Sequence, residues 1–432
     1  TWQATGMTVY DRLYEVYARP DSRQIRELHV LVDLFPPLDS PIALGYWEDA
    51  RDRLYGHIQQ ITRETGEPWI ADILAKATRE EAFTAADLAA RHGRSIDALV
   101  LDVDETLRSA GTTDNEIPRE TLYHLTELHE QGIPIIICTG QTLENVKGFA
   151  IQGLGTAIAH AETFSIVYES GTGVFSPGHG SSTKRLLYEE LAPPIPAIFT
   201  RVRSRILTEA PAAIAEQMHL QGNEFNVTLK PNFDVGTAPA EEIVIDGMHH
   251  LMETVGAAIA EELGGARGTE ETVLAVKRWF AERDTEIAAV LAARDETVPE
   301  VAIEEDLESV LERLDIAVYP ADAAELSSLD LNKAHGVRAA LEILEITDPF
   351  LLVMGDSKSD LRVMQWVDET ETGIAAAPRH ASAAVLDHVY STDALVFEPG
   401  DAASVLRTVD VLNRLIAADQ VPGELRADGG MC

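Results

Sequence analysis

The chain has 432 residues, more than one ordinary hydrophobic core accommodates, and 45% of them are apolar, so we expect two or three folded domains. The formal net charge is −38, from 72 acidic and 34 basic residues, which disfavours nucleic acid and anionic membranes as partners. No apolar run reaches the roughly 18 to 20 residues of a membrane helix, and the first residues lack the order of a signal peptide. We therefore expect a cytoplasmic protein.

The negative charge is spread along the whole length, and Lys is scarce beside Arg. This pattern is typical of proteins from a high-salt cytoplasm, as in halophilic archaea, because the Debye length at 1 M salt is only about 3 Å and self-repulsion is screened. An ordinary acidic mesophilic protein is the alternative interpretation.

Residues 1–95 are predicted to be a mostly helical extension, interrupted at Pro36-Pro37 and Ser40-Pro41. This extension contains no chemical motif. We expect an accessory helical domain or an arm through which the chain forms a homo-oligomer.

From residue 96 the pattern changes to alternating strands and helices. Ala98–Leu101 is predicted to be a buried strand, and the helix that begins near Pro118 is stopped by Gly132. Another strand at Ile135–Ile137, a helix at 142–150 and a strand at Phe164–Tyr168 follow. These βαβ units predict a Rossmann-like parallel sheet covered on both faces.

Residues 175–330 are rich in Ala and Glu helices, with strand candidates at Glu224–Lys230 and Ile316–Tyr319. This segment is predicted to be an inserted α+β module. The α/β pattern resumes at 331–418, and residues 419–432 form a tail. The predicted elements there are a helix around Val337 and Leu341, strands at 350–354, 373–376 and 394–397, and helices at 359–367 and 402–416. We therefore expect a discontinuous α/β core, 96–174 plus 331–418.

Acidic side chains follow two of the predicted strands. Asp102 and Asp104 lie two residues apart after the first strand, so both side chains leave on the same side. Two carboxylates that close repel each other unless one pKa rises or a divalent cation binds. Asp356 and Asp360 follow another strand. Because Mg²⁺ prefers carboxylate oxygen, Asp102 and Asp356 are predicted to be ligands of Mg²⁺.

Groups suited to phosphate follow the second strand and precede the third. Thr139 and the Gly140 amide come just before a helix N-terminus, where amides favour anions. Lys333 opens the helix before the strand at 350–354 and offers a positive charge to a phosphoryl group. Cys138 is predicted to be a core residue and not a nucleophile.

Together these segments resemble the haloacid dehalogenase superfamily of Asp-nucleophile phosphatases. Asp102-Val-Asp104-Glu-Thr106 is similar to its first motif, Thr139 to its second, Lys333 to its third, and Gly355-Asp356-Ser-Lys-Ser-Asp360 to its fourth. The inserted module stands where the family has its large C2B cap.

Tyr168-Glu169-Ser170-Gly171 stands where Cof-type and mannosyl-3-phosphoglycerate phosphatase-like members have Glu-Asn-Gly. The sucrose-phosphatase-like members belong to the same branch. Two positions depart from the family pattern, since Ser170 replaces the Asn and Gln141 replaces the usual Arg after Thr-Gly.

The resemblance implies a role for each matched residue. Asp102 is the nucleophile that forms an aspartyl-phosphate, and Asp104 is the general acid and base. Asp102, the backbone carbonyl of Asp104 and Asp356 hold Mg²⁺. Thr139, Gly140 and Lys333 bind the phosphoryl oxygens. Asp360 and Thr106 support these groups from the next layer.

The leading hypothesis is a Mg²⁺-dependent phosphatase that acts on a small phosphorylated metabolite, most plausibly a sugar phosphate. A phosphomutase or phosphotransferase on the same fold, similar to phosphomannomutases, is the first alternative. A non-catalytic protein that binds a partner through its N-terminal helices is the second, and the intact acidic set disfavours it.

Overall fold

The computed structural model describes residues 77–108, 116–264, 268–296 and 299–420. The predicted extension therefore lies outside the described residues, apart from 77–95. The chain forms two compact units, one of residues 1–135 with 347–432 and the other of residues 136–346. The predicted domain boundaries at 174/175 and 330/331 stay a prediction.

The described residues contain twelve β-strands. They are β1 (Ala98–Leu101), β2 (Ile135–Cys138), β3 (Phe164–Tyr168), β4 (Gly173–Phe175), β5 (Arg185–Leu186), β6 (Met218–Leu220), β7 (Val227–Pro231), β8 (Leu314–Tyr319), β9 (Ala323–Ser328), β10 (Leu351–Met354), β11 (Gly373–Pro378) and β12 (Leu395–Phe397).

The same residues contain fourteen α-helices. They are α1 (Arg79–His92), α2 (Arg119–Glu130), α3 (Leu143–Phe149), α4 (Thr156–Ala159), α5 (Ile195–Arg205), α6 (Ala212–Gln217), α7 (Thr237–Leu263), α8 (Thr269–Arg283), α9 (Thr285–Ala292), α10 (Glu305–Leu311), α11 (Lys333–Ile343), α12 (Lys358–Glu369), α13 (Ala383–Ser391) and α14 (Ala402–Gln420). None of the helices in the described ranges is long and apolar enough to cross a membrane.

The first unit contains a parallel sheet with neighbouring strands in the order β12-β11-β10-β1. Every residue of β1 and β10 is buried, as expected for strands covered on both faces. Helix α12 packs on β10 and β11, and α14 packs on α1 and α2. The predicted α/β fold with a parallel sheet is confirmed.

An ion pair and a capping box fix α1 in this unit. Thr78 and Glu81 form the capping box, in which each side chain accepts a backbone N–H of the other. The Glu81 carboxylate is 6% exposed and also pairs with Arg407 of α14 at 2.8 Å. Removing either partner of such a buried pair would destabilise the fold, because the remaining charge would be buried without its counter-charge.

The second unit contains two sheet regions. Strands β3, β4 and β5 pair in antiparallel order, and α11 packs on β3 and β4. The inserted module has a separate four-stranded antiparallel sheet with the order β6-β7-β9-β8. Helix α7 packs on β7, β8 and β9.

The module differs from the sequence prediction at several strands, among them β6, which was not predicted. The strand expected at Glu224 begins at Val227, because the amides of Glu224 and Phe225 donate to a side chain and not to a neighbouring strand. Strand β9, Ala-Ala-Glu-Leu-Ser-Ser, was not predicted. Its residues have little intrinsic β-preference, and it forms because it lies between β7 and β8.

Candidate active site

The end of β1 places Asp102 in a nearly closed environment. The strand residues before it are at most 1% exposed, and Asp102 itself is 6% exposed. Its N–H donates to the carbonyl of Met354 at 2.9 Å, which continues the β1–β10 register by one residue. Burial disfavours the charged form of a carboxylate, so this position depends on hydrogen bonds and opposite charge around it.

A tight turn after Asp102 presents Asp104. The amides of Leu107 and Arg108 both donate to the carbonyl of Val103, at 3.0 and 3.1 Å. Arg108 folds back so that its Nε and Nη2 each lie 3.1 Å from Oδ1 of Asp104. The sequence analysis did not assign a role to Arg108. Its spacing of four residues from Asp104 was the available signal.

The end of β10 places Asp356 and Asp360. Oδ2 of Asp360 accepts the N–H groups of Asp356 and Ser357, at 3.3 and 3.0 Å, and the hydroxyl of Ser357 at 2.7 Å. These bonds cap α12. Gly355 is required here, since a Cβ at this position would lie 2.3 Å from Cγ of Asp360.

The carboxylates of Asp102, Asp356 and Asp360 come together. One oxygen of each lies within 4.8 Å of the others. Three negative groups at that separation repel strongly, and a divalent cation would offset the repulsion. Carboxylate oxygens without any thiolate or imidazole suit a hard cation. The cluster therefore fits a divalent metal. Thr106 lies two residues beyond Asp104 and is 2% exposed, and its hydroxyl has no hydrogen-bond partner among the described residues.

Thr139 lies at the end of β2 in the second unit. Its N–H donates to Val167 at 2.9 Å, and its carbonyl accepts the N–H of Ser170 at 3.0 Å. The hydroxyl accepts the N–H of Gln141 at 3.1 Å. These contacts hold the 1% exposed side chain in one orientation at the start of the 139–142 turn. Gly140 lies beside Ser170, whose Oγ would be 3.4 Å from an added Cβ.

Lys333 is the first residue of α11 and is 2% exposed. The preceding Asn332 caps the helix by accepting the N–H of His335 at 3.0 Å. Gly171 lies so close to Asn332 that an added Cβ would be 2.1 Å from its carbonyl oxygen. Thr139 and the start of α11 therefore both contact the loop at residues 169–171. Cys138 is buried behind it, as predicted, with Sγ 4.0 Å from the carbonyl of Lys333.

Glu169 is a further residue to which the sequence analysis gave no role. Its carboxylate is 1% exposed and accepts the N–H groups of Glu224 and Phe225, at 2.6 and 3.1 Å. Burial raises the pKa of Glu169, while the two amide hydrogen bonds and the charge of Arg203 act in the opposite direction. The available signal was an acidic residue directly after the apolar run Phe164–Tyr168.

Several solved structures are similar to the chain. One from Thermoplasma acidophilum is 14% identical, with 74% of this chain and 100% of that chain covered and a TM-score of 0.42. A phosphatase of the haloalkanoate enzyme superfamily from Bacteroides thetaiotaomicron is 16% identical, with 74% and 96% covered and a TM-score of 0.41. The sucrose-phosphatase of Synechocystis is 12% identical, with 74% and 99% covered and a TM-score of 0.39.

Curated proteins give no significant match to the sequence. The family model of haloacid dehalogenase-like hydrolases matches residues 99–161 and 258–389. These ranges include Asp102, Asp104, Thr139, Lys333 and Asp356, so the predicted family and the predicted enzyme class are confirmed. Over these residues the chain is similar to the haloacid dehalogenase-like hydrolases.

Proposed function

We propose that this chain is a Mg²⁺-dependent phosphatase that hydrolyses a small phosphorylated metabolite through an aspartyl-phosphate. The observation that carries the proposal is the convergence of Asp102, Asp356 and Asp360, whose carboxylate oxygens lie within 4.8 Å of one another inside the hydrolase match. A buried cluster of this kind is too costly to serve as mere surface charge.

In the proposed first step, an oxygen of Asp102 attacks phosphorus. A bond forms between that oxygen and phosphorus, and the bond from phosphorus to the leaving oxygen breaks. Asp104 gives its proton to the departing alkoxide. In the second step Asp104 takes a proton from water, whose oxygen attacks the same phosphorus and releases phosphate and free Asp102.

Asp102, Asp356 and the carbonyl of Asp104 are the proposed ligands of Mg²⁺. When bound, the cation neutralises charge on the phosphoryl group and on the cluster. Asp360 uses one oxygen to cap α12, which supports a role in orienting Asp356 over direct ligation. Thr106 is the second residue, after Asp360, that we propose to support the metal ligands without binding the metal.

Thr139, the Gly140 amide and Lys333 are the proposed ligands of the phosphoryl oxygens. Thr139 and Lys333 are 1% and 2% exposed, so each is held by its surroundings before substrate binds. Preorganised donors stabilise developing charge better than mobile ones, because they cost no rearrangement during the reaction.

The proposed substrate is a sugar phosphate, and the chain's charge of −38 argues against nucleic acid or membrane phosphates. A small anionic substrate is compatible with the acidic chain, because salt screens its repulsion from distant acidic residues while the charge of nearby Lys333 is not screened. The proposed location is the cytoplasm.

The test is Mg²⁺-dependent release of p-nitrophenol from p-nitrophenyl phosphate by the Asp102→Asn variant. We expect a loss of at least about 10³-fold in kcat, because an amide cannot replace the nucleophile. Asp368→Asn, an exposed aspartate on α12, is the matched control and should retain full activity. Wild-type activity in Asp102→Asn would refute the assignment. Transfer of phosphate to a second hexose phosphate in place of water would identify a phosphomutase.

A further inference from the structure

The loop after β3 has three successive residues in the left-handed region. Their φ angles are 47° at Glu169, 54° at Ser170 and 101° at Gly171. Residues other than glycine rarely adopt this conformation, and positions held there concentrate at functional sites. The loop is fixed from one side by backbone bonds, Glu169 N–H to Gln141 at 2.8 Å and Ser170 N–H to Thr139 at 3.0 Å.

The Glu169 side chain fixes the same loop to the inserted module. Both carboxylate oxygens accept backbone N–H groups of residues 55 and 56 positions away, Glu224 and Phe225. A third donor, the hydroxyl of Thr172, lies at 3.4 Å. Tyr168 adds a second connection, because its hydroxyl donates to the Glu224 carboxylate at 2.8 Å.

The module segment held by Glu169 comprises residues 223–226, directly before β7. Arg203 of α5 donates to three carbonyls of this segment, those of Asn223, Phe225 and Asn226, at 2.6 to 2.7 Å. The segment is therefore held through its N–H groups by one partner and through its carbonyls by another. Hydrogen bonds on both its N–H groups and its carbonyls restrict residues 223–226 to a single position.

Hydrogen bonds between polar side chains connect this segment to the module sheet. Thr228 of β7 accepts from Asn223 and donates to Glu325 of β9, both at 2.7 Å. Burial raises the pKa of Glu325, the Thr228 hydrogen bond lowers it, and the charges of Asp315 and Glu169 raise it. Glu325 is therefore close enough to Glu169 for their charges to interact.

Asn226 leaves an unused acceptor in the same place. It is 4% exposed, and its Oδ1 is buried without a hydrogen-bond partner in the described part of the chain. An unsatisfied buried oxygen is costly unless a ligand or water donates to it. A hydroxyl group on a bound substrate has the required chemistry.

We propose that Glu169 is a positioning residue that sets the distance between Asn226 and the phosphate-binding residues Thr139 and Lys333. A substrate whose leaving group carries hydroxyls then binds with its phosphate at Thr139 and Lys333 and a hydroxyl on Oδ1 of Asn226. The inference rests on the proposed phosphatase function.

The test uses Glu169→Gln, in which one of the two accepting oxygens becomes an NH₂ group. We expect KM for a hexose phosphate, whose leaving group carries hydroxyls, to rise about fivefold with kcat within about twofold, the effect of one lost hydrogen bond on alignment. KM for p-nitrophenyl phosphate, whose leaving group carries no hydroxyl, should stay within about twofold. The inhibition constant of inorganic phosphate, which reports only the phosphate site, should stay within about twofold. Glu241→Gln, an exposed carboxylate on α7, is the matched control.

Hydrogen exchange provides a second readout that general destabilisation would not produce. A hexose phosphate with Mg²⁺ should slow exchange at residues 223–228 in Asp102→Asn, which does not turn it over, and not in Asp102→Asn combined with Glu169→Gln. Inorganic phosphate, which has no leaving group, should slow exchange there in neither protein. If Glu169→Gln fails to fold, the isosteric Tyr168→Phe replaces it, with an expected rise in KM of about twofold.

The inference is overturned if the wild type hydrolyses no hexose phosphate, or if KM for the hexose phosphate is unchanged in Glu169→Gln. It is also overturned if KM for p-nitrophenyl phosphate or the phosphate inhibition constant rises in parallel, or if the hexose phosphate still slows exchange at 223–228 in the Glu169→Gln protein. Failure of the proposed function would look different, because the wild type itself would then not release p-nitrophenol.

Discussion

Replacing Gly355 with Ala tests whether the acidic cluster depends on the close packing at the end of β10. The added Cβ would lie 2.3 Å from Cγ of Asp360, 2.4 Å from its Cβ and 2.8 Å from its Oδ1. All three separations are far below van der Waals contact. The methyl group can therefore be accommodated only if Asp360 or the backbone of β10 moves.

The cost can be worked out from the contacts of Asp360. Moving its carboxylate breaks up to three hydrogen bonds to Oδ2, from Asp356, from the Ser357 amide and from the Ser357 hydroxyl. At about 1 kcal/mol net for each bond, the free energy of unfolding should fall by roughly 2–4 kcal/mol once overpacking is included. The backbone of Asp356 moves with it, so kcat should fall about tenfold or more.

The measurements are urea unfolding and hydrolysis of p-nitrophenyl phosphate. Gly222→Ala is the matched control, because a Cβ added at Gly222 meets nothing within 4 Å, and its free energy of unfolding should change by less than about 0.5 kcal/mol. If Gly355→Ala behaves like Gly222→Ala in both assays, the role assigned to the Gly355–Asp360 contact is refuted.

Three further predictions concern metal, pH and salt. Removing divalent cations with a chelator should abolish hydrolysis and lower the unfolding temperature, because the cation then no longer offsets the repulsion among Asp102, Asp356 and Asp360. Added Mg²⁺ should restore both the activity and the unfolding temperature. Unchanged activity after chelation would exclude a metal site. Burial raises the pKa of Glu169 above its ordinary 4.5, so the stabilising contribution of its carboxyl is complete below that pH and is lost as pH rises through the raised pKa. The free energy of unfolding of the wild type relative to Glu169→Gln should therefore decrease in denaturant titrations as pH rises from the ordinary pKa of 4.5, and a difference that increases would contradict the direction of the shift. With a net charge of −38, the unfolding temperature should be at least roughly 10 °C higher in about 2 M KCl than in about 0.1 M KCl, and an unchanged value would exclude adaptation to high salt.

Local patterns in the sequence were sufficient to predict most of the α/β elements. The apolar runs that became β1 and β3 are bounded by acidic or polar residues, and the run that became β10 ends at Gly355; a short apolar run with such boundaries is typical of a fully buried strand. Pro118 and Gly132 similarly mark both ends of α2, since Gly132 has a φ of 88° just after the helix. The acidic cluster also follows from local signals, because Asp102 comes directly after β1 and Asp356 follows the end of β10 with one residue, Gly355, between them.

The tertiary structure decided what depends on distant partners. The local signal at Glu169, an acidic residue directly after an apolar run, does not identify its partners, because its two amide donors are 55 and 56 residues further along the chain. Strand β9 likewise forms by pairing with β7 and β8 and not from its own propensity. The sequence by itself therefore predicted the carboxylates that we propose to be catalytic, because their spacing from the strands is local. Only the folded chain determined how Glu169, Arg203 and Asn226 meet, because side-chain burial and long-range hydrogen bonds are properties of the packed state.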